Sequence, residues 1–338
     1  LILDGLPHAA EEIGHLVALQ DAFDRLPMLV VHPEGQRCPL EILQRRPCDR
    51  VESCLSVEGL TPRLLRLAIC CAIHYGRCEQ LLDALRKNDR ELTVAREIQQ
   101  SLFPKESPQV EGFDIAGKSF PTQEVGGDYY DFLSLPEDYL GIAIGDASGH
   151  GVGAALLSAH TRATLRSLAF IHQSVAEIIS LANRVLSVDS PGGRFMTLLL
   201  ARVNPRTGSF VYANAGHQPG FILSQDGHIQ HQMETTGIPL GITPEWEFPH
   251  SFGYQLKPGD TVVFLTDGVV EASGQNDATF GRQRLVDLAL AYRDFSAAEM
   301  ISKIAQAVFE FCYPRLPTDD FTLVVIKVSP EICLRRSF

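Results

Sequence analysis

LGIAIGDASGHG, residues 140–151, is the stretch on which the reading of this chain turns. Gly141 to Gly145 has the pattern of an apolar strand, and it delivers Asp146 to its C-terminal edge. The glycines that follow let the backbone turn tightly into a run, Gly151 to Ala169, with helical spacing. TVVFLTDG, residues 261–268, is built the same way around Asp267. The pair Asp319-Asp320 stands just before the apolar run Phe321 to Val328. In EVGGDYYD, residues 124–131, Gly126 and Gly127 bring the backbone close to whatever Asp128 holds. Asp-Gly and Gly-Asp are common turn formers, and Asp226 and Asp260 are read as turns. Four acids at apolar strand ends match a different need, that of hard divalent cations for oxygen ligands completed by carbonyls and water. Spacing alone does not show that the four converge.

Outward from that stretch, Met196 to Val203 and Ser209 to Ala213 are strand-like. Phe221 to Gln232 reads as a hairpin turning at Asp226-Gly227. Val175 to Val188 is helical, and a later helix opens with Ser296 and Glu299 in capping-box spacing. Strands, paired helices and more strands indicate an α+β domain over residues 104–330, with helices laid on antiparallel sheets.

Upstream, residues 76–103 read as a helical linker. Cys78, Leu81, Leu85, Asn88, Leu92, Ala95, Gln99 and Leu102 alternate in steps of three and four, the seam of a coiled coil. Two readings stay open, a homodimer through this helix or a helix packed on its own chain. Gln99 is the weak member of the seam. Residues 1–75 alternate strand patterns such as Met28 to His32 with helical ones such as Arg63 to His74, an α/β unit with a parallel sheet. The opening Leu-Ile-Leu-Asp-Gly-Leu-Pro lacks the basic n-region of a signal peptide and reads as the interior of a domain.

The 338 residues carry 29 Lys+Arg and 41 Asp+Glu, a formal net charge of −12 that argues against nucleic-acid and anionic-membrane binding. No apolar run reaches the roughly 18 residues of a membrane span. The eight cysteines form no CxxC pair, which fits reduced thiols in a cytoplasmic protein.

The strings AREIQQSLFP (95–104), EVGGDYYDF (124–132), GDASGHGVGAALLSAHTRATLR (145–166), FMTLLLARV (195–203), YANAGHQPGFIL (212–223), TGIPLGI (236–242), TVVFLTDGVVEA (261–272), FGRQRL (280–285) and DDFTLVVIKV (319–328) follow one another in order. Together they resemble the SpoIIE/RsbU branch of the PPM (type-2C) metal-dependent serine/threonine phosphatases. The resemblance implies an αββα sandwich holding two divalent cations, Mn²⁺ or Mg²⁺, and hydrolysis of phosphoserine or phosphothreonine by activated water. It places Asp146 as the bridging ligand, Ala147 as a carbonyl ligand and Asp128 as a second-metal ligand. Asp267 and Asp319 take the first metal, and Asp320 fills the next position. Gly126 and Gly127 shape the loop. His150 either protonates the leaving oxygen or pins the turn, and His217 is a loop or substrate-edge residue. The resemblance also makes the helix from Gly151 and the linker helix regulatory elements. Its usual substrate is a phosphorylated STAS-domain anti-anti-sigma factor. The rival reading is a catalytically silent adaptor acting through protein binding.

Residues 1–75 resemble the C-terminal part of a response-regulator receiver domain. Asp4 lies near the phosphoacceptor position but one residue too close to the proline. His32 stands at the expected Ser/Thr and Val57 near the expected Lys, so a pseudoreceiver is the expectation.

Overall fold

The computed structural model describes residues 89–330 apart from 190–192, 251–252 and 276–277. It also describes Arg77, Leu81, Leu82 and Lys87, and the strands Ile2–Asp4, Met28–His32 and Val51–Ser56. The chain divides into two compact units, Leu1–Glu91 and Leu92–Phe338.

In the first unit, β1 (Ile2–Asp4), β2 (Met28–His32) and β3 (Val51–Ser56) pair in parallel in that order. Parallel neighbours need crossover connections, as the alternating pattern indicates. The helical patterns around this sheet, Val57, and seam positions Cys78, Leu85 and Asn88 lie outside the described residues. Asp4 and His32 are described only as backbone positions at the ends of β1 and β2.

The second unit is an αββα sandwich. One sheet has the order β10-β9-β12-β13-β4 and the other β11-β8-β7-β6-β5. The first contains β4 (Phe113–Phe120), β9 (Phe221–Leu223), β10 (Ile229–Gln232), β12 (Thr261–Leu265) and β13 (Phe321–Val328). The second contains β5 (Asp128–Leu135), β6 (Tyr139–Ala147), β7 (Met196–Val203), β8 (Ser209–Ala215) and β11 (Tyr254–Gln255). The α-helices are α1 (residues 89–102), α2 (Val152–Ala169), α3 (Val175–Asp189), α4 (Asp267–Val270), α5 (Gly281–Ala291) and α6 (Ala297–Cys312).

Three apolar layers follow from the two-residue period of the strands. In β13, Phe321, Leu323 and Val325 face α5 and α6, whereas Val324, Ile326 and Val328 face the other sheet. In β7, Met196, Leu198 and Leu200 face α2 and α3, whereas Leu199, Ala201 and Val203 point between the sheets. Both faces of these strands are covered, so their sequences read as unbroken apolar runs rather than alternating ones. Each fully buried Leu, Ile or Phe contributes roughly 1.5–3 kcal/mol.

Strand ends differ from the sequence expectation in a consistent way. β6 extends beyond Gly141 and Gly145 to Tyr139 and Ala147, and β8 runs on to Ala215. Pairing with β7 continues past the apolar stretch, with Asp146 opposite Thr197 and Ala147 opposite Met196. Ladder hydrogen bonds carry polar residues that a hydropathy pattern leaves out. Helix α6 starts as expected: Ser296 Oγ accepts from the Glu299 N–H at 3.3 Å, and Glu299 Oε2 accepts from the Ser296 N–H at 3.0 Å. Asp114 Oδ2 accepts from the Ala297 N–H at 2.7 Å, tying the same helix end to β4.

The C-terminal end of helix α1 meets its own chain. Gln99 Oε1 accepts from the Gly126 N–H at 3.1 Å, and Gln99 Nε2 donates to the Gly126 carbonyl at 2.7 Å. Leu92, Ala95 and Leu102 are half-buried, while Val94 and Ile98 are exposed. Phe103 then stacks on Tyr130, with ring centres 5.4 Å apart. Gln99 is therefore the anchor of this helix end rather than a flaw in its pattern.

Candidate metal centre

Antiparallel pairing brings the acids to one end of the sandwich. Asp128 opens β5 directly opposite Asp146 near the end of β6. In the other sheet β12 ends at Leu265, opposite Leu323, so Asp267 after β12 and Asp319-Asp320 before β13 emerge side by side.

Two threonines join the sheets through Asp128. Its Oδ2 accepts from Thr266 Oγ1 at 2.9 Å and from Thr322 Oγ1 at 2.6 Å. Thr266 Oγ1 in turn accepts from the Thr322 N–H at 2.9 Å. Sequence reasoning missed both. The available signal was a hydroxyl residue at the head of an otherwise apolar, fully buried run, FTLVVI.

The electrostatics are those of crowded carboxylates with little countercharge beyond His150. Burial raises Asp146 from 3.8 to about 7, reinforced by Asp267, Asp319 and Asp320. Asp128 is raised well above the usual range by burial and then by Asp146, against the pull of its two threonine hydrogen bonds. Burial also raises Asp267, with Glu271 adding repulsion, and Asp319, with Asp267 and Asp320 adding repulsion. Like charges and low dielectric both disfavour ionisation. Asp320 Oδ1 is held by the Thr122 N–H at 2.7 Å and the Thr122 hydroxyl at 3.0 Å.

The glycines are where the chain has no room for a side chain. A methyl group on Gly126 would collide with the Asp320 carboxylate. On Gly127 it would come 2.8 Å from both Asp146 Oδ1 and the Ala147 carbonyl oxygen. The Gly127 carbonyl accepts from the Ala147 N–H at 3.3 Å and from the Ser158 hydroxyl of α2.

His150 is exposed and close enough to Asp319 to offset part of its rise. His217 lies in the loop after β8, the first of its two expected places, and its ring is buried rather than at an edge. It is 2% exposed, its Nε2 donates to the Leu265 carbonyl at 3.1 Å, and its Nδ1 pairs with Thr197 Oγ1 at 2.9 Å. A carbonyl can only accept, so the proton sits on Nε2, and burial lowers the imidazole from 6.5 to about 4. Asn214 folds the loop AGHQP inward by accepting from the His217 N–H at 2.7 Å.

The donor set fits hard divalent cations: carboxylates and carbonyls that repel one another until a cation is present. Among the described residues no three Asp, Glu, His or Cys side chains close into a complete ligand cage. The acids nevertheless perturb one another, so the fit is to an open site in which water keeps part of each coordination shell.

The profile of the family Stage II sporulation protein E (SpoIIE) matches residues 136–329. Asp146, Ala147, Asp267 and Asp319 lie inside that match and Asp128 lies before it. The chain is 32% identical over 259 residues to phosphoserine phosphatase RsbU of Bacillus subtilis (strain 168), covering 75% of this chain and 76% of RsbU. The SiaA-PP2C domain of Pseudomonas aeruginosa superposes with a TM-score of 0.63 at 23% identity, over 72% of this chain and 98% of that one. The RsbU and RsbW domains of Rv1364c from Mycobacterium tuberculosis superpose with a TM-score of 0.55 at 28% identity, over 67% of this chain and 62% of that one.

Proposed function

The chain belongs to the SpoIIE family of PP2C-type protein serine phosphatases, and on that premise we propose that it dephosphorylates a signalling protein with two divalent cations, Mn²⁺ or Mg²⁺. Asp128, Asp146, the Ala147 carbonyl, Asp267 and Asp319 would hold them. The observation that carries this reading is the pairing of buried Asp128 opposite half-buried Asp146, with Asp267, Asp319 and Asp320 close enough to add to the rise that burial gives Asp146, a setting that bound cations would relieve. When bound, such ions lower the pKa of water towards neutrality and screen the phosphoryl charge.

The chain's own residues do the positioning. Thr266 and Thr322 aim Asp128 from the opposite sheet. Gly126 and Gly127 let the β5 loop lie against Asp320, Asp146 and Ala147. Hydrolysis breaks the bond between phosphorus and the seryl oxygen, and that oxygen must regain a proton. The exposed His150 imidazole, whose charge Asp319 feels, would donate it.

Similarity to RsbU supports a phosphorylated STAS-domain anti-anti-sigma factor as the partner. A solved relative that carries RsbU and RsbW domains together fits the same signalling setting. Residues 104–330 would be the phosphatase domain, 76–103 the linker through which two copies pair, and 1–75 a pseudoreceiver input, in the cytoplasm. Among the described residues no helix is long and apolar enough to cross a membrane.

The test is hydrolysis of p-nitrophenyl phosphate and of a phospho-STAS protein with and without Mn²⁺. The wild type should be active only with the metal, and Asp146→Asn and Asp267→Asn should be silent. A folded wild type with no activity under any divalent ion would point instead to an adaptor.

A further inference from the structure

Most arginines near the sandwich are committed. Arg166 holds Asp131, Arg96 holds Glu124, Arg184 holds Glu247 and Arg206 holds Asp138. Arg194 is different. It is exposed, and among the described residues no carboxylate pairs with it.

Its place is set by the strand that follows it. Met196 opposes Ala147 and Thr197 opposes Asp146, so Arg194, two residues before Met196, overhangs the sheet end at which the acids gather. The segment is clamped to the loop after Ala147. The Ser148 N–H donates to the Phe195 carbonyl at 2.9 Å, and Ser148 Oγ accepts from the Phe195 N–H at 2.9 Å. The guanidinium then sits against Gly153, in the first turn of α2, where any β-carbon would collide with it. A bare glycine in a helix is destabilising by about 0.5–1 kcal/mol relative to alanine, and here its absent side chain makes the seat for the arginine.

We propose that Arg194 binds the phosphoryl group of the substrate at the mouth of the centre. The inference rests on the phosphatase reading above. A phosphate dianion held at cations within the carboxylate ring still turns oxygens towards solvent, and a planar guanidinium can donate two parallel hydrogen bonds to them. Seated on Gly153, Arg194 is oriented before the substrate arrives, which lowers the entropic cost of the contact. It is a substrate-binding residue, separate from the five ligand positions.

The experiment compares wild type, Arg194→Ala, Arg194→Lys and Gly153→Ala. The probes are p-nitrophenyl phosphate, inorganic phosphate as a competitive inhibitor, and phosphoserine peptides with neutral or acidic flanks. In Arg194→Ala, KM for p-nitrophenyl phosphate and Ki for phosphate should both rise about tenfold or more, the scale of a lost charge-assisted contact. Arg194→Lys should give a smaller rise. Gly153→Ala should raise both constants while the thermal midpoint holds or increases, which a structural role for Arg194 would not produce. Values within twofold of wild type in all three variants overturn the proposal. So does a rise confined to the acid-flanked peptide, which would assign Arg194 to the flank. If wild type itself shows no metal-dependent hydrolysis, the phosphatase reading fails first. Calorimetric binding of inorganic phosphate to Mn²⁺-loaded wild type and Arg194→Ala then tests the contact directly.

Discussion

Asp128 and Asp131 sit three residues apart on β5, both buried, in opposite electrostatic worlds. Asp131 is fully enclosed and accepts two hydrogen bonds from Arg166, at 2.6 and 2.8 Å, with Arg162 Nε 3.8 Å away. Asp128 is 4% exposed, meets two threonine hydroxyls, and otherwise feels acids. One burial is compensated within the chain and serves to fasten α2 to β5. The other faces acids with no cation among the groups that act on it, the setting that the proposed metal would relieve. A buried acid is thus a structural bridge or a functional site according to what faces it, not according to its depth.

The largest break in this comparison should come from Asp146→Asn, which removes a carboxylate from the uncompensated cluster. Mn²⁺-dependent hydrolysis should fall by about 100-fold or more, since activation of water by the metal is lost. Metal-free stability should hold or rise by roughly 0.5–2 kcal/mol in thermal melts, as expected when a strained functional site is relaxed. A loss of metal-free stability instead would mean that Asp146 is a structural acid like Asp131.

Arg166→Met should do the reverse. Removing the cation strands Asp131 in the interior, at a cost of about 3–5 kcal/mol in urea unfolding for a fully buried pair. Because Arg166 is 43% exposed, the lower end of that range is expected. Replacing both partners, Asp131→Leu with Arg166→Met, should recover much of the loss. If the single variant were neutral, the bridge would not fasten the helix.

pH separates the two classes of buried group by sign. His217 is lowered from 6.5 to about 4, so the folded chain binds fewer protons than the unfolded one between those values. Its contribution is complete above about pH 6.5 and is lost as pH falls towards 4, at most about 3 kcal/mol. Asp146 is raised from 3.8 to about 7, so metal-free stability should decline as pH climbs from about 4 to 7. The two slopes oppose each other over nearly the same range, so urea titrations with EDTA should show the decline alone in His217→Gln and the rise alone in Asp146→Asn. Saturating Mn²⁺ should flatten the decline alone and add roughly 2.7 kcal/mol at a hundredfold excess over Kd.

The smallest effect lies far from the centre. Ser296→Ala removes the α6 cap and should cost about 1 kcal/mol, with KM and kcat as in wild type.

Much of the sandwich was legible because its code is local. Phe321 to Val328, Thr261 to Leu265 and Met196 to Val203 appear as apolar runs whose ends coincide with the observed strands. Ser296 and Glu299 marked the start of α6 three residues apart. The candidate ligands were legible as acids at strand ends, and their order resembled a family. What escaped were residues whose role depends on a partner far along the chain. Thr322 reaches Asp128 across 194 positions and Thr266 across 138. Gln99 clamps Gly126 from another helix, and His217 is turned inward by strands that close over it.

By itself, the sequence determined which segments pair as strands, where the helices lie between them, and which carboxylates end up at strand termini. Period and composition encode those facts within a dozen residues. The tertiary structure decided which buried acid receives an arginine and which faces only other acids, and which histidine stays neutral. It also decided which glycine seats a guanidinium. Those outcomes depend on charge and dielectric at distances of a few ångströms, between residues that the chain brings together only by folding.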